Sequence, residues 1–289
     1  MRVLLTGATG YVGSAVLEAL VAGGHEVLGL VRDPDRAGAV RERGASPVIG
    51  DITDAARVRE LAAGADGVVH LASPGDATSA EAEDAFVTAV LAGLGGTGKP
   101  LVSTAGIWDH GSGGELTEVS PFRAPRITAW RPEVTRRVLA ATGVRTAVIS
   151  PALVYGRGGG LLRVITGGPR RGVGSQALTV LGSGEQHWAT VHVDDLAALY
   201  VLALEKARAG TYLIGASGVN PTVREITVAA SRAAGLDGRV EPEGLAGTVE
   251  RLGLLGEALL LDQRASGTAA RQLGWQPTRP TLLEHLTGR

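Results

Sequence analysis

The chain contains no cysteine. That absence excludes disulfides and thiolate metal sites. Lysine is almost missing too: Lys99 and Lys206 stand alone among 28 basic residues. The bias has no chemistry of its own, but it bears on any site that requires a lysine. No strong charge imbalance exists, the formal net charge being −1, so neither nucleic acid nor a membrane surface is an expected partner. No apolar run approaches the roughly 18 residues a membrane helix needs. The opening MRVLLTG is too short for a signal h-region. A cytoplasmic protein is expected. Aromatic residues make up only 3% of the chain, so each tryptophan is worth placing.

What is present is alternation. Short apolar runs at Val3–Leu5, Val27–Val31, Pro47–Ile49, Gly67–Leu71, Pro100–Thr104 and Thr146–Ser150 are separated by helix-period segments. These segments are Ser14–Ala22, Ala55–Ala63, Glu81–Leu94 and Pro132–Thr142. Continuous apolar strands between amphipathic helices predict an α/β fold, a Rossmann-type doubly wound parallel sheet covered on both faces. Regularity breaks after Tyr155, where Gly156–Gly184 reads as a mobile glycine- and arginine-rich excursion holding one short helix. A helix over Asp194–Lys206, a strand at Tyr212–Ile214 and a helix over Asn220–Gly235 follow. From Leu236 the periodicity is weak. On this pattern the chain divides into a dinucleotide-binding domain, 1–156 and 187–216, and a small C-terminal substrate lobe, 157–186 and 217–289.

Thr6-Gly7-Ala8-Thr9-Gly10-Tyr11-Val12-Gly13 joins the first strand to the first helix. The first glycine permits the tight turn, the second lets backbone N–H groups approach a pyrophosphate, and the third lets helix and strand pack closely. The helix N-terminus adds partial positive charge. With 43 glycines in the chain a chance match is a fair alternative, but position after a strand and before a helix favours dinucleotide binding. Gly7, Thr9, Gly10, Tyr11 and Val12 are therefore cofactor candidates. The second strand ends in Arg32-Asp33, where the ribose-reading residue falls. A guanidinium there favours a 2′-phosphate and hence NADP(H); Asp33 keeps NAD open, and Arg36 offers a second phosphate contact. Asp51, followed by Ile52, reads either as an adenine contact or as a helix N-cap. Leu71-Ala72-Ser73 ends the fourth strand with small residues suited to a passing ribose.

Together TGATGYVG at Thr6–Gly13, GDITD at Gly50–Asp54, VVHLAS at Val68–Ser73, VSTAGIW at Val102–Trp108, SPALVYG at Ser150–Gly156, VHVDDLA at Val191–Ala197 and LGWQP at Leu273–Pro277 carry a resemblance. The chain resembles the extended and atypical short-chain dehydrogenase/reductases, which include NAD(P)-dependent epimerases, dehydratases and ketoreductases. That resemblance implies a serine or threonine, a tyrosine, and a lysine four residues after the tyrosine. It places the hydroxyl at Ser103 or Thr104, and Pro151 beside the cofactor. The tyrosine–lysine pair is absent: the four tyrosines are followed at that spacing by Ala15, Gly159, Leu204 and Ala216. Ile127 and Arg131 stand where the pair is expected. Arg131 can hold a ribose but does not donate a proton near neutral pH. Epimerase and dehydratase chemistry, which relies on that tyrosine, is thus disfavoured. Two readings remain, an NADPH-dependent ketoreductase that dispenses with the tyrosine and a non-catalytic NADP-binding sensor.

On the substrate side, Trp108, Trp130, Tyr155 and Trp188 read as candidate stacking surfaces for a flat aromatic small molecule, with core packing as the alternative. His187 and Tyr155 are candidate replacement acids. His192, Asp194, Asp195 and Trp275 read as structural. No carboxylate–histidine cluster suggests a metal. The assembly is expected to be a monomer or homodimer.

Overall fold

A computed structural model describes residues 1–172 and 176–288 of the chain. Seven strands form one parallel sheet: β1 (Arg2–Thr6), β2 (Glu26–Val31), β3 (Ser46–Ile49), β4 (Gly67–His70), β5 (Pro100–Thr104), β6 (Arg145–Pro151) and β7 (Thr211–Gly215). Their spatial order is β7-β6-β5-β4-β1-β2-β3. Chain direction across the sheet therefore reverses between β1 and β4. In an open sheet the crevice for a ligand lies at that reversal, beyond the C-terminal strand ends.

The pleat sorts side chains onto two faces. Val3 and Leu5 of β1 pack with Val16, Leu17 and Leu20 of the first helix and with Leu196 and Leu199 of the Val193–Lys206 helix. Leu4, between them, packs on the other face against Val58, Phe86 and Val90 of helices Ala55–Ala63 and Ser79–Leu94. All three β1 side chains are fully buried, and each large aliphatic one contributes ~1.5–3 kcal/mol. Helix starts follow local chemistry. Asp54 accepts from Arg57 N at 3.0 Å, and Thr222 forms a capping box with Glu225 at the head of Val223–Ala233.

The excursion is more ordered than its composition suggests. It holds the short helix Arg163–Thr166 and two strands, Arg170–Arg171 and Ala177–Val180, which pair antiparallel. Ala177–Val180 also pairs in parallel with Val240–Pro242. The part of the excursion at 173–175 lies outside the described residues. A separate apolar core, including Leu153, Tyr155, Ile165, Val180, Trp188, Ile226 and Leu259, lies under this lobe. The tail does not belong to the lobe throughout. Ala265, Ala270 and Trp275 pack into the core of the large sheet, and Trp275 Nε1 is anchored there by donating to Asp195 O at 2.7 Å. The boundary drawn at 217–289 therefore merges two segments with different partners.

Candidate active site

The glycine loop forms the floor of the crevice. Gly7 adopts φ +71°, and a Cβ there would meet Ala72 N at 2.8 Å. A Cβ on Gly13 would lie 1.9 Å from Gly7 O. Loop, β4 end and first helix thus approach as closely as backbone allows. The first turn of that helix carries no acidic residue, and Gly10 at its N-cap has no side chain over the end. Its leading N–H groups lack helical acceptors and are available to a phosphate.

A buried relay holds the β4 end. Thr6 Oγ1 accepts from Leu71 N and Ala72 N, each at 3.1 Å, and lies 2.7 Å from His70 Nδ1. His70 Nε2 lies 2.9 Å from Glu83 Oε2. With its oxygen occupied as acceptor, the Thr6 hydroxyl donates to Nδ1, which leaves Nε2–H to donate to Glu83. The imidazole also stacks on Phe86, with centroids 3.8 Å apart.

A cleft of about 770 Å³ is lined by Gly7, Thr9, Gly10, Tyr11, Val12, Arg32, Asp51, Ile52, Leu71, Ala72 and Ser73, with Asp33, Arg36, Asp76 and Thr78. Every cofactor candidate from the first four strand ends is in it. Asp33 commits a carboxylate oxygen to Asp35 N at 3.0 Å, capping the short turn Pro34–Arg36. Among the described residues Arg32 and Arg36 make no side-chain hydrogen bond or ion pair, and both line the ribose end of the cleft. Asp51 is not the helix N-cap. Its Oδ1 accepts from Thr53 N at 2.9 Å and Thr53 Oγ1 at 2.8 Å, which holds its carboxyl below the usual range; Asp54 caps the helix instead. A dinucleotide fits these residues: close-packed glycines, open helix amides and paired guanidinium groups are what its diphosphate and ribose ends require.

Tyr11 and Val12 also line a second, apolar cavity of about 260 Å³ with Gly106, Ile107, Trp108, Arg131, Pro151, Ala152, Leu153, Val154, Gly160 and Leu161. Tyr11 donates to Gly156 O at 2.8 Å, and burial pushes its phenol up to about 12. Arg131 is the one charged lining residue. Its Nη1 would lie 3.0 Å from a Cβ on Gly106, so the glycine makes room for the guanidinium. The Trp130 ring centre lies 5.1 Å from Arg131 Cζ.

Several expectations drawn from the sequence require correction. Trp130 is not in the cavity wall; it stacks on Arg131 from behind. Trp188 is 4% exposed and donates from Nε1 to Leu259 O at 3.0 Å inside the lobe core. Tyr155 is 1% exposed and donates to Pro280 O at 2.6 Å, and burial pushes its phenol above the ordinary range. Neither offers a stacking face or an acid. His187 is tied to Asp262 Oδ1 through N at 2.7 Å and Nδ1 at 2.8 Å, away from both cavities. Thr104 Oγ1 donates to His70 O at 2.6 Å and lies 2.8 Å from Tyr200 OH. Ser103 is buried, and neither hydroxyl lines the apolar cavity. The structural reading of His192 stands: it caps the Val193–Lys206 helix by accepting from Asp194 N.

Sequence alone did not disclose the apolar wall from Ala152 to Val154, Leu161, or the Thr6–His70–Glu83 relay. His70 lies within VVHLAS, and a histidine one residue before the small strand end was the available signal. Asp109, one residue beyond VSTAGIW, also went unnoticed.

The sequence profile of the NAD dependent epimerase/dehydratase family matches residues 3–94 and 120–215. The chain belongs to that family, whose members are nicotinamide-dependent proteins of the oxidoreductase kind. An uncharacterized protein of Schizosaccharomyces pombe is 33% identical over 295 residues, covering 99% of this chain and 98% of that one. A 4-hydroxy-2-methyl-3-oxo-4-farnesyl-3,4-dihydroquinoline-1-oxide ketoreductase of Stigmatella aurantiaca is 41% identical over 85 residues, 29% of this chain and 25% of its own. The fold is that of dTDP-glucose 4,6-dehydratase from Bacillus anthracis in complex with NAD, at TM-score 0.81 and 15% identity, covering 99% and 94% of the two chains.

Proposed function

We propose that the protein is an NADPH-dependent ketoreductase acting on an aromatic, polyketide-like small molecule of angucyclinone type. The observation that carries this reading is the apolar cavity with Arg131 as its single charge, opening from the nucleotide cleft across Tyr11 and Val12. NADPH, when bound, would supply the hydride, and water at the open side of the cavity would supply the proton that converts the resulting alkoxide into the alcohol. Arg32 and Arg36 hold the 2′-phosphate by charge-assisted hydrogen bonds. Arg131 anchors the ribose and presents positive charge to the carbonyl oxygen, where negative charge develops as the ketone is reduced. Trp108, Pro151 and Leu153 exclude water from the reacting ring. At about 260 Å³ the cavity takes that ring and leaves the rest of a polycycle toward the opening. It has no second cationic group for a nucleotide-sugar diphosphate. The local likeness to a ketoreductase whose name carries an oxo-dihydroquinoline supports the choice of an aromatic ketone.

A second reading rests on a specific observation: no side chain lining the cavity is an acid that titrates near neutrality. A chain built this way suits an NADP sensor without turnover. Decay of nicotinamide absorbance with a panel of hydroxyquinones, tetracyclic ketones and nucleotide sugars separates the two. Turnover of an aromatic ketone is the expected result. Binding of NADPH with no turnover across the panel replaces the ketoreductase with the sensor.

A further inference from the structure

Behind the apolar cavity lies a buried polar cluster that the proposed reaction does not use. Asp109, in the turn Ile107–His110, is 0% exposed, and its Oδ2 has no hydrogen-bond partner. Thr128 Oγ1 and Ser150 Oγ are buried and make no hydrogen bond of ordinary geometry; Thr128 faces the Asp109 carboxyl and Ser150 the Tyr212 phenol. Thr128 directly follows Ile127, in the segment where the family resemblance led us to expect a tyrosine. Buried polar atoms are ordinarily paired, and an incompletely paired carboxylate in the interior is costly. Asp109 Oδ1 has one ionic neighbour, Arg131 Nη1 at 3.5 Å. Among the described residues Asp109 is the single carboxylate within ion-pair distance of Arg131.

Thr128 and the Gly106 backbone face the Asp109 carboxyl as neutral partners, and the charged or titratable groups nearby are committed elsewhere. His110 Nε2 and Tyr212 OH lie 2.9 Å apart, with burial holding His110 below its usual range. Glu118 accepts from Ile214 N at 3.2 Å. Arg123 meets Asp109 through the backbone, its N donating to Asp109 O at 2.8 Å. The guanidinium is therefore fixed from three sides: by Asp109, by the gap above Gly106 and by the Trp130 ring. Ring and gap border the guanidinium, and Asp109 Oδ1 is the charged group beside Nη1.

We propose that Asp109 is a positioning residue that aims Arg131 into the cavity, so that the cation meets the ribose and the reacting carbonyl oxygen. The inference rests on the role proposed above for Arg131. Asp109 touches neither cavity and acts through Arg131 alone.

The test is a double-mutant cycle of Asp109→Asn and Arg131→Ala, read by calorimetric NADPH binding and by chemical denaturation. Asp109→Asn is expected to weaken NADPH binding about tenfold in the wild-type background, the size of one charge-assisted hydrogen bond. It should have no further effect once Arg131 is alanine. Equal losses in both backgrounds overturn the role, as does a shifted denaturation midpoint with NADPH affinity intact, which marks a merely structural pair. The unmodified protein supplies a second measurement that no folding defect can blunt. Because burial raises the Asp109 carboxyl to about 6, its affinity for NAD⁺, whose charge is constant there, should fall as pH is lowered through that value. A flat profile overturns the role. Wild-type protein that binds no nicotinamide nucleotide removes the proposed ketoreductase and this role together. Wild-type binding indifferent to Asp109 removes this role alone.

Discussion

At the scale of single residues, the ribose end of the cleft makes the sharpest claim. Arg32→Ala should lower NADPH affinity by ~10- to 100-fold, the loss of a charge-assisted phosphate contact. NADH affinity should change little, and calorimetry with both nucleotides reads the difference. Asp109 gives a claim about pH. Burial raises its carboxyl from 3.8 to about 6 in the folded chain, so the folded state holds that proton more tightly than the unfolded one. Its contribution is fully present below pH ~4 and is lost as pH rises through ~6, by up to about 3 kcal/mol. Asp109→Asn should flatten that slope in denaturation curves taken across the interval. The contrast between Arg32 and Asp109 shows what a sequence discloses. Arg32 was found because its meaning depends on distance along the chain from a glycine loop. Asp109 was missed because its meaning depends on burial beside Arg131, 22 residues on, at a spacing that no motif fixes. Trp188 and Tyr155 failed for the converse reason: closeness to a motif does not say which way a ring turns, and both turn into the lobe core.

At the scale of elements, apolar runs located all seven strands of the large sheet and its longer covering helices, because burial on both faces leaves an unbroken signal; the short helix Ala37–Arg41 was not read, five residues being too few to show a period. The excursion was harder. Ala177–Val180 is a fully buried strand whose partners, Arg170–Arg171 and Val240–Pro242, are too short to carry a period of their own. The glycine turn is the element most exposed to test. Gly13→Ala places a methyl 1.9 Å from Gly7 O, and the loop must open to admit it. Nucleotide binding should be abolished in a titration, with ~2 kcal/mol or more of stability lost in denaturation. Thr6→Val probes the neighbouring relay. It strips Leu71 N and Ala72 N of their acceptor and leaves His70 Nδ1 unpaired, a cost of ~1–3 kcal/mol by the same measurement.

At the scale of the whole molecule, the order of segments along the chain differs from their order in space. The last motif, LGWQP, returns to the first core. Besides the Trp275 contact, Asp195 accepts from Thr278 N and Arg279 N, each at 3.0 Å. Asp195→Ala should cost ~2–3 kcal/mol, since hydrogen bonds to a charged group are lost together, and a lowered thermal midpoint is the readout. Trp275 was legible as a structural residue, yet its segment read as part of the lobe, because weak periodicity gives no hint of a partner far upstream.

The Asp195 clasp also decides how the protein can be cut. A fragment that stops before Trp275 retains the whole nucleotide cleft yet strands an inward-facing carboxylate with neither of its amide donors. The cleft is therefore not an excisable cassette: grafting the first two-thirds of this chain onto another substrate lobe requires carrying the final stretch across as well.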